Sequence, residues 1–297
     1  GACDMKGGIA AMVFATEILA DLGLRLAGDL VVCTVTDEES TGAGGVAAVA
    51  HGVRAEAGIT TESSNGNLQI ACRGSLIPTI TVLGRTGHSG ISQPHWREGG
   101  AVNAIEKAIV VADALRRFEA DWQQRESNRH PYLAPGEVVL TLIAGGEWAV
   151  SYPSSCRLVY HLAYLPAHAD AGGWGTAVEE EIVEWIARTA RADPWLAEHP
   201  PTIEWAPQVP AVEVPPDLPI VPILLAASAA VGRPGQLGGS DNWNDAATFT
   251  QGGTPSISFF PSDGKSAHAT DEYTRVEDLV VGAQTLALAA IRFCGTA

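Results

Sequence analysis

Apolar residues recur along this chain in two rhythms, and the changes between them mark out its elements. From Gly7 the positions Ile9, Met12, Val13, Ile18 and Leu19 fall at helical spacing, and Gly23 closes the run. Leu30–Val35 is near-continuous and β-branched, the pattern of a strand buried on both faces of a parallel sheet. An Ala/Val-rich helix over about Gly44 to His51 follows, then a short strand near Ala57–Thr61 and an extended piece at Leu68–Cys72. This opening predicts an α/β domain with a mixed, mostly parallel sheet.

Near Arg73-Gly74 the texture changes. Ser75–Leu83 alternates as a strand, Asn103 to Phe118 carries Ala104, Ala108, Val111 and Leu115 on one helical face, and Val138–Ala144 and Arg157–Leu165 are strands. Ala177 to Thr189 is amphipathic, with Val178, Ile182, Trp185 and Ile186 inward, and Thr202–Trp205 is a last short strand. The order β-α-β-β-α-β is the split pattern of a ferredoxin-like α+β unit. Pro207–Pro219 reads as a linker. Beyond it a helix near Val221–Val231, a Gly loop carrying Asp241, a helix Asp245–Thr250, a strand Ser256–Phe260 and a helix Val276 to Phe293 return to the α/β style. The expected organisation is therefore a domain in two parts, 1–73 and 208–297, interrupted by an inserted α+β domain, 74–207. Trp174, Trp185, Trp195 and Trp205 are expected in the core of the insertion.

Composition narrows the function classes. The 297 residues are 46% hydrophobic, and no apolar run reaches the roughly 20 residues that cross a bilayer. With 34 acidic against 18 basic residues the net charge is −16, which argues against a nucleic-acid partner. Five scattered cysteines (Cys3, Cys33, Cys72, Cys156, Cys294) and no C-x-x-C pair suggest reduced thiols and a cytoplasmic setting.

The candidate chemistry lies at the ends of predicted strands. Asp37-Glu38-Glu39 follows Leu30–Val35, Glu62 ends a short strand, Asp4 precedes the first helix, and His268 lies just past the last strand. Each has an ordinary reading: a helix cap, a surface carboxylate, an acidic turn. Successive strand residues face opposite ways, so Glu38 and Glu39 serve one site only if the chain is already turning, which Gly42, Gly44 and Gly45 permit. Carboxylate and imidazole without thiolate suit Zn²⁺ or Co²⁺ in a catalytic site, and a carboxylate bridging two metals is a known device for activating water.

Gly1-Ala2-Cys3-Asp4-Met5-Lys6-Gly7-Gly8, Asp37-Glu38-Glu39, Gly84-Arg85-Thr86-Gly87-His88-Ser89, Gly99-Gly100-Ala101-Val102-Asn103-Ala104-Ile105 and Ala267-His268-Ala269-Thr270-Asp271-Glu272-Tyr273 together resemble the M20 metallopeptidase family, the group of acetylornithine deacetylase, succinyl-diaminopimelate desuccinylase, aminoacylase and carboxypeptidase G2-like enzymes. The resemblance implies a dinuclear zinc hydrolase, with Co²⁺ an alternative metal, that cleaves the amide of an N-acyl amino acid or small peptide. Asp4 would bridge the metals, Glu39 and His268 would bind one, Glu62 the other, and Glu38 would act as general base on the metal-bridged water. His88, on an inserted lid and dimerisation domain, would reach the substrate carbonyl, commonly across a homodimer interface. Asp241 and Asn103 would contact substrate.

Departures from the family pattern are also expected to matter. No His-x-Asp pair stands upstream of Asp4, Tyr160-His161-Leu162 stands where many relatives carry an Arg, and Val150 stands where they often carry an Asn. The alternative is a non-catalytic or inactive fragment or binding relative, because the upstream His ligand is absent; a chain looking as if its beginning is missing would fill at most one metal site well.

Overall fold

The computed structural model describes residues 1–297. In chain order come α1 (Gly7–Asp21), α2 (Ala43–Ala50), β1 (Gly58–Thr60), β2 (Leu68–Cys72), β3 (Gly74–Leu76), β4 (Pro78–Leu83) and α3 (Ala104–Trp122). Then follow β5 (Glu137–Gly145), β6 (Ser155–Tyr164), α4 (Thr176–Ala192), α5 (Pro194–Glu198) and β7 (Thr202–Trp205). The last stretch holds β8 (Val212–Glu213), α6 (Ile220–Ala230), β9 (Leu237–Ser240), α7 (Asp245–Gln251), β10 (Ser256–Ser258) and α8 (Val276–Cys294). Two compact units result: Gly1–Cys72 with Pro131–Leu133 and Val212–Ala297, and Arg73–His130 with Ala134–Ala211.

The first unit is built on a mixed sheet in the order β1-β10-β2-β8, with β9 also on β2. Two of its pairings, β1 with β10 and β2 with β9, are parallel, and the other two are antiparallel. The mostly parallel sheet expected from sequence is thus an evenly mixed one. Leu68, Ile70, Leu224, Ile257 and Phe259 form one buried cluster against α6 and α8. Ala11, Ala15 and Leu19 of α1 meet Phe260, Ala283 and Leu286 in another. Small alanines let α1 and α8 approach closely, and α1 stops where Gly23 takes φ +63° and Leu24 N–H bonds back to the Leu19 carbonyl at 3.0 Å.

The largest departure from the sequence reading is Leu30–Val35. It is not a strand: no ladder includes it, and Leu30, Val31 and Val32 are 43%, 57% and 41% exposed. The apolar run satisfies the hydrophobic pattern of a buried strand, but no neighbouring strand supplies it with a hydrogen-bonding edge. A cavity of about 460 Å³ separates Val31, Cys33 and Val35 from Gly58, Ile59 and Thr60 of β1, whose own outer edge pairs with nothing. Two further elements escaped the pattern. The segment taken as a Gly loop before Asp241 contains β9, paired through its backbone to β2 despite two glycines, and the Pro-rich linker contains β8.

The second unit is an antiparallel sheet with β5 on β6, β6 on both β3 and β4, and β4 on β7, so β5 and β7 are its edges. A break at Ile77 divides the single strand expected over Ser75–Leu83 into β3 and β4. Helices α3 and α4 bury Ala104, Ala108, Val111, Leu115, Phe118, Ile182 and Ile186 with Ile80, Leu158 and Leu162 of the sheet. Asn103 starts α3 by accepting from the Ile105 and Glu106 amides at 2.9 and 3.4 Å. Trp122 and Trp195 are buried in this core, Trp185 and Trp205 pack on it, and Trp174 is 39% exposed.

Candidate active site

The acidic triplet sits in a tight turn. Asp37 has φ +67°, and its carbonyl accepts from the amides of Ser40, Thr41 and Gly42. Gly42 is left-handed at φ +66°, and a Cβ there would lie 2.5 Å from the Trp243 ring, so only glycine fits. The turn frees Glu38 and Glu39 from strand alternation, and both line one cavity of about 970 Å³ in the first unit.

Asp4 reaches the same cavity from the segment ahead of α1. Its backbone N–H donates to Glu272 Oε1 at 2.9 Å, and the Ser63 hydroxyl donates to the neighbouring Cys3 carbonyl at 2.6 Å. These bonds tie the Asp4 segment to the loops bearing Glu62 and His268. His268 itself is left-handed, φ +61°, a conformation uncommon for a non-glycine residue and found where surrounding structure imposes it. Its Nε2 lies 3.1 Å from Asp4 Oδ2 and 3.0 Å from Glu39 Oε2. One donor atom from each of Asp4, Glu39 and His268 falls within 4.8 Å of the others.

Glu62 lines the same cavity, with Oε1 buried and unpartnered. Burial foremost, then the negative charges of Glu38, Asp4, Glu39 and Asp245, push its carboxyl up to about 9. Glu38 is held at about 7 by burial first, then by Asp245, Glu39 and Asp4, with His268 opposing. A carboxyl near neutrality is poised to take up and give back a proton at physiological pH.

Asp245 is the residue that sequence reasoning missed. It is 3% exposed, its Oδ1 is unpartnered, and burial lifts it to about 6. Its carboxylate packs so close to the first turn of α2 that a Cβ on Gly45 would lie 2.3 Å from Oδ1. Asn244-Asp245 reads in sequence as an ordinary helix start, and Asn244 does cap α7 by accepting from the Ala246 amide at 3.0 Å. Nothing in that pattern reveals a buried acid among other acids.

The structure therefore gathers Asp4, Glu38, Glu39, Glu62, Asp241 and His268 around one cavity. Asn103 and His88 belong to the second unit. The Asn103 carbonyl oxygen is engaged in capping α3, while exposed His88 accepts from the Gly90 amide through Nδ1 at 3.0 Å.

The donor set fits divalent cations. Carboxylate and imidazole converge without a thiolate, since Cys3 is fully buried, and a buried carboxylate oxygen in a nest of like charge is left without a partner. Oxygen and imidazole donors converging beside an acid that titrates near neutrality are the equipment of a metal-dependent hydrolase. Comparison with known proteins gives the family: the chain belongs to peptidase family M20/M25/M40, whose model matches residues 1–292. It is 27% identical over 310 residues to an N-formyl-4-amino-5-aminomethyl-2-methylpyrimidine deformylase of Halalkalibacterium halodurans, covering 99% of this chain and 71% of that one. It is 29% identical to an acetylornithine deacetylase of Myxococcus xanthus, covering 99% of this chain and 72% of the relative. A crystal structure of a Staphylococcus aureus tripeptidase shares the fold, with a TM-score of 0.74 at 16% identity over 97% of this chain and 70% of that one. The chain is thus a hydrolytic enzyme of the amidohydrolase and peptidase type, and no helix in it is long and apolar enough to cross a membrane.

Proposed function

We propose that this enzyme is a dinuclear zinc hydrolase that cleaves the amide bond of a small N-acyl compound, an N-acyl amino acid or peptide among the candidates. The observation that carries it is the convergence of Asp4, Glu39 and His268 within 4.8 Å in a cavity shared with half-buried Glu38 and Glu62. Asp4, Glu39 and His268 would hold one cation, and Asp4 with Glu62 would hold the other. Such ions lower the pKa of water and polarise an amide carbonyl. Glu38 takes the proton of the attacking water and returns it to the leaving nitrogen, a role supported by its half-buried place in the cavity beside Asp4, Glu39 and His268. His88, as the family resemblance implies, would donate to the oxyanion.

Zinc titration with calorimetry and metal analysis tests the site. The three-donor group should fill tightly and Glu62 should define a weaker second step, and Glu39→Ala should abolish the tight step. Glu38→Gln should keep the metal and lose about 10²- to 10⁴-fold in kcat, as for loss of a general base. Retained turnover in that variant would remove Glu38 from its role.

A homodimer through the second unit belongs to the same proposal. Edge strand β5 leaves Val139, Leu140, Leu142 and Ile143 between 37% and 52% exposed, a combination of open edge and apolar surface that suits pairing with a second copy. The five free thiols suit a cytoplasmic location.

A further inference from the structure

Glu272 does not line the cavity of the site, yet it is the acid that grips the Asp4 backbone from the loop carrying His268. Resting on the metal-dependent reading above, we infer that Glu272 is a positioning residue: its carboxylate fastens Asp4 to the His268 loop and so presets two ligands of one cation.

The need for a fastening begins in the sequence, where Asp4 and His268 lie near opposite ends of the chain. Asp4 has a non-helical backbone, φ −125° and ψ 90°, so its amide needs an acceptor from outside α1. Glu272 Oε1 supplies one at 2.9 Å, and Glu272 Oε2 meets the Gly1 nitrogen. The Glu272 side chain is only 7% exposed, which keeps water from competing for these bonds. Other acids of the loop are placed differently: Asp263 accepts from the Lys265 amide at 3.1 Å, and Asp271 is exposed.

His268 stands four residues before Glu272, and the Glu272 N–H returns to the Ala269 carbonyl at 3.3 Å, so ligand and strap share one short turn. Two links therefore join the same pair of segments. One runs from the Glu272 carboxylate to the Asp4 amide, and the other is the 3.1 Å contact of His268 Nε2 with Asp4 Oδ2. A bound cation would take over the second link and leave the first untouched. Cys3 Sγ, 3.6 Å from Ser266 Oγ, adds a weaker tie beside them. Donors held at their spacing beforehand lose less freedom when an ion binds. Removing the Glu272 acceptor leaves a part-buried amide unpaired and frees the Asp4 segment to drift from His268.

Glu272→Gln, which keeps an acceptor, and Glu272→Met, which fills similar space without one, separate this role from packing. Hydrogen exchange read by mass spectrometry on the metal-free chain should quicken over residues 1–8 and 264–274 in Glu272→Met and stay as in wild type in Glu272→Gln. Co²⁺ titration followed by visible absorption should show the tight step weakened by about tenfold or more in Glu272→Met and by no more than about threefold in Glu272→Gln, as for groups that orient metal ligands. Circular dichroism checks folding; if Glu272→Met does not fold, Glu272→Asp, which withdraws the acceptor by one methylene, takes its place with the same expectation. Wild-type exchange or wild-type Co²⁺ affinity in the folded Met variant would overturn the inference, as would equal losses in the Met and Gln variants. If the wild-type chain takes up no Co²⁺, the metal reading fails, and the exchange pattern alone decides whether Glu272 holds the two segments together.

Discussion

Glu62 is an acid whose ordinary charge the surrounding fold opposes. Its carboxyl rises from 4.5 in a solvated chain to about 9 in the metal-free protein, because burial and four neighbouring acids disfavour the ionised form. A raised folded pKa means that the unfolded chain releases this proton first. The contribution to stability is therefore complete below about pH 4.5 and is lost as pH climbs through about 9. We expect the melting temperature of metal-free protein to fall across that window, added Zn²⁺ to reverse the fall, and Glu62→Gln to flatten it; thermal melts at pH 5, 7 and 9 with and without chelator read all three. Affinity for a divalent cation should show the opposite slope, rising with pH as the ligands give up their protons. At this scale the sequence was informative about residue type and silent about depth. Asp4, Glu39 and His268 were recognisable from their places beside predicted elements and from the family resemblance. The burial of Asp245 was not, because a capping Asn-Asp pair looks the same in sequence whether it faces water or a nest of acids.

At the scale of elements, local signals were decisive where one segment determines its own structure. Helix α3 is an example: its cap, apolar stripe and length are all internal to Asn103–Trp122. Asn103→Ala should cost about 1 kcal/mol of the second unit's stability through the lost cap bonds, measurable by denaturant unfolding, and Asn103→Asp should retain most of it. Replacing Leu158, fully buried between sheet and helices, by Ala should cost about 2–5 kcal/mol in the same measurement. Strands depend on partners elsewhere, and there the reading was weaker. Leu30–Val35 has the composition of a central strand and lies outside the sheet, whereas Leu237–Ser240 has poor strand composition and lies inside it, because β2 offers a parallel edge. The exposed edge of β5 gives a further test. If it mediates dimerisation, Ile143→Lys should convert dimer to monomer in light scattering without unfolding the protein.

For the whole molecule, an unused sheet margin at β1 faces an extended apolar ribbon, Leu30–Val35, that water reaches. Backbone amides and carbonyls along both go without strand partners, so each is a template for any extended polypeptide that drifts past. In solutions of this 297-residue chain, colloidal behaviour should consequently depend on this seam and on the β5 edge as well as on the −16 charge, which by itself would keep molecules apart. Anilinonaphthalene dye should light up on the folded protein, and turbidity should grow with concentration; Val31→Lys should lower both. Handling the enzyme dilute, at low temperature and in the presence of its metal is the practical corollary, since cool solution weakens apolar adhesion between neighbouring chains.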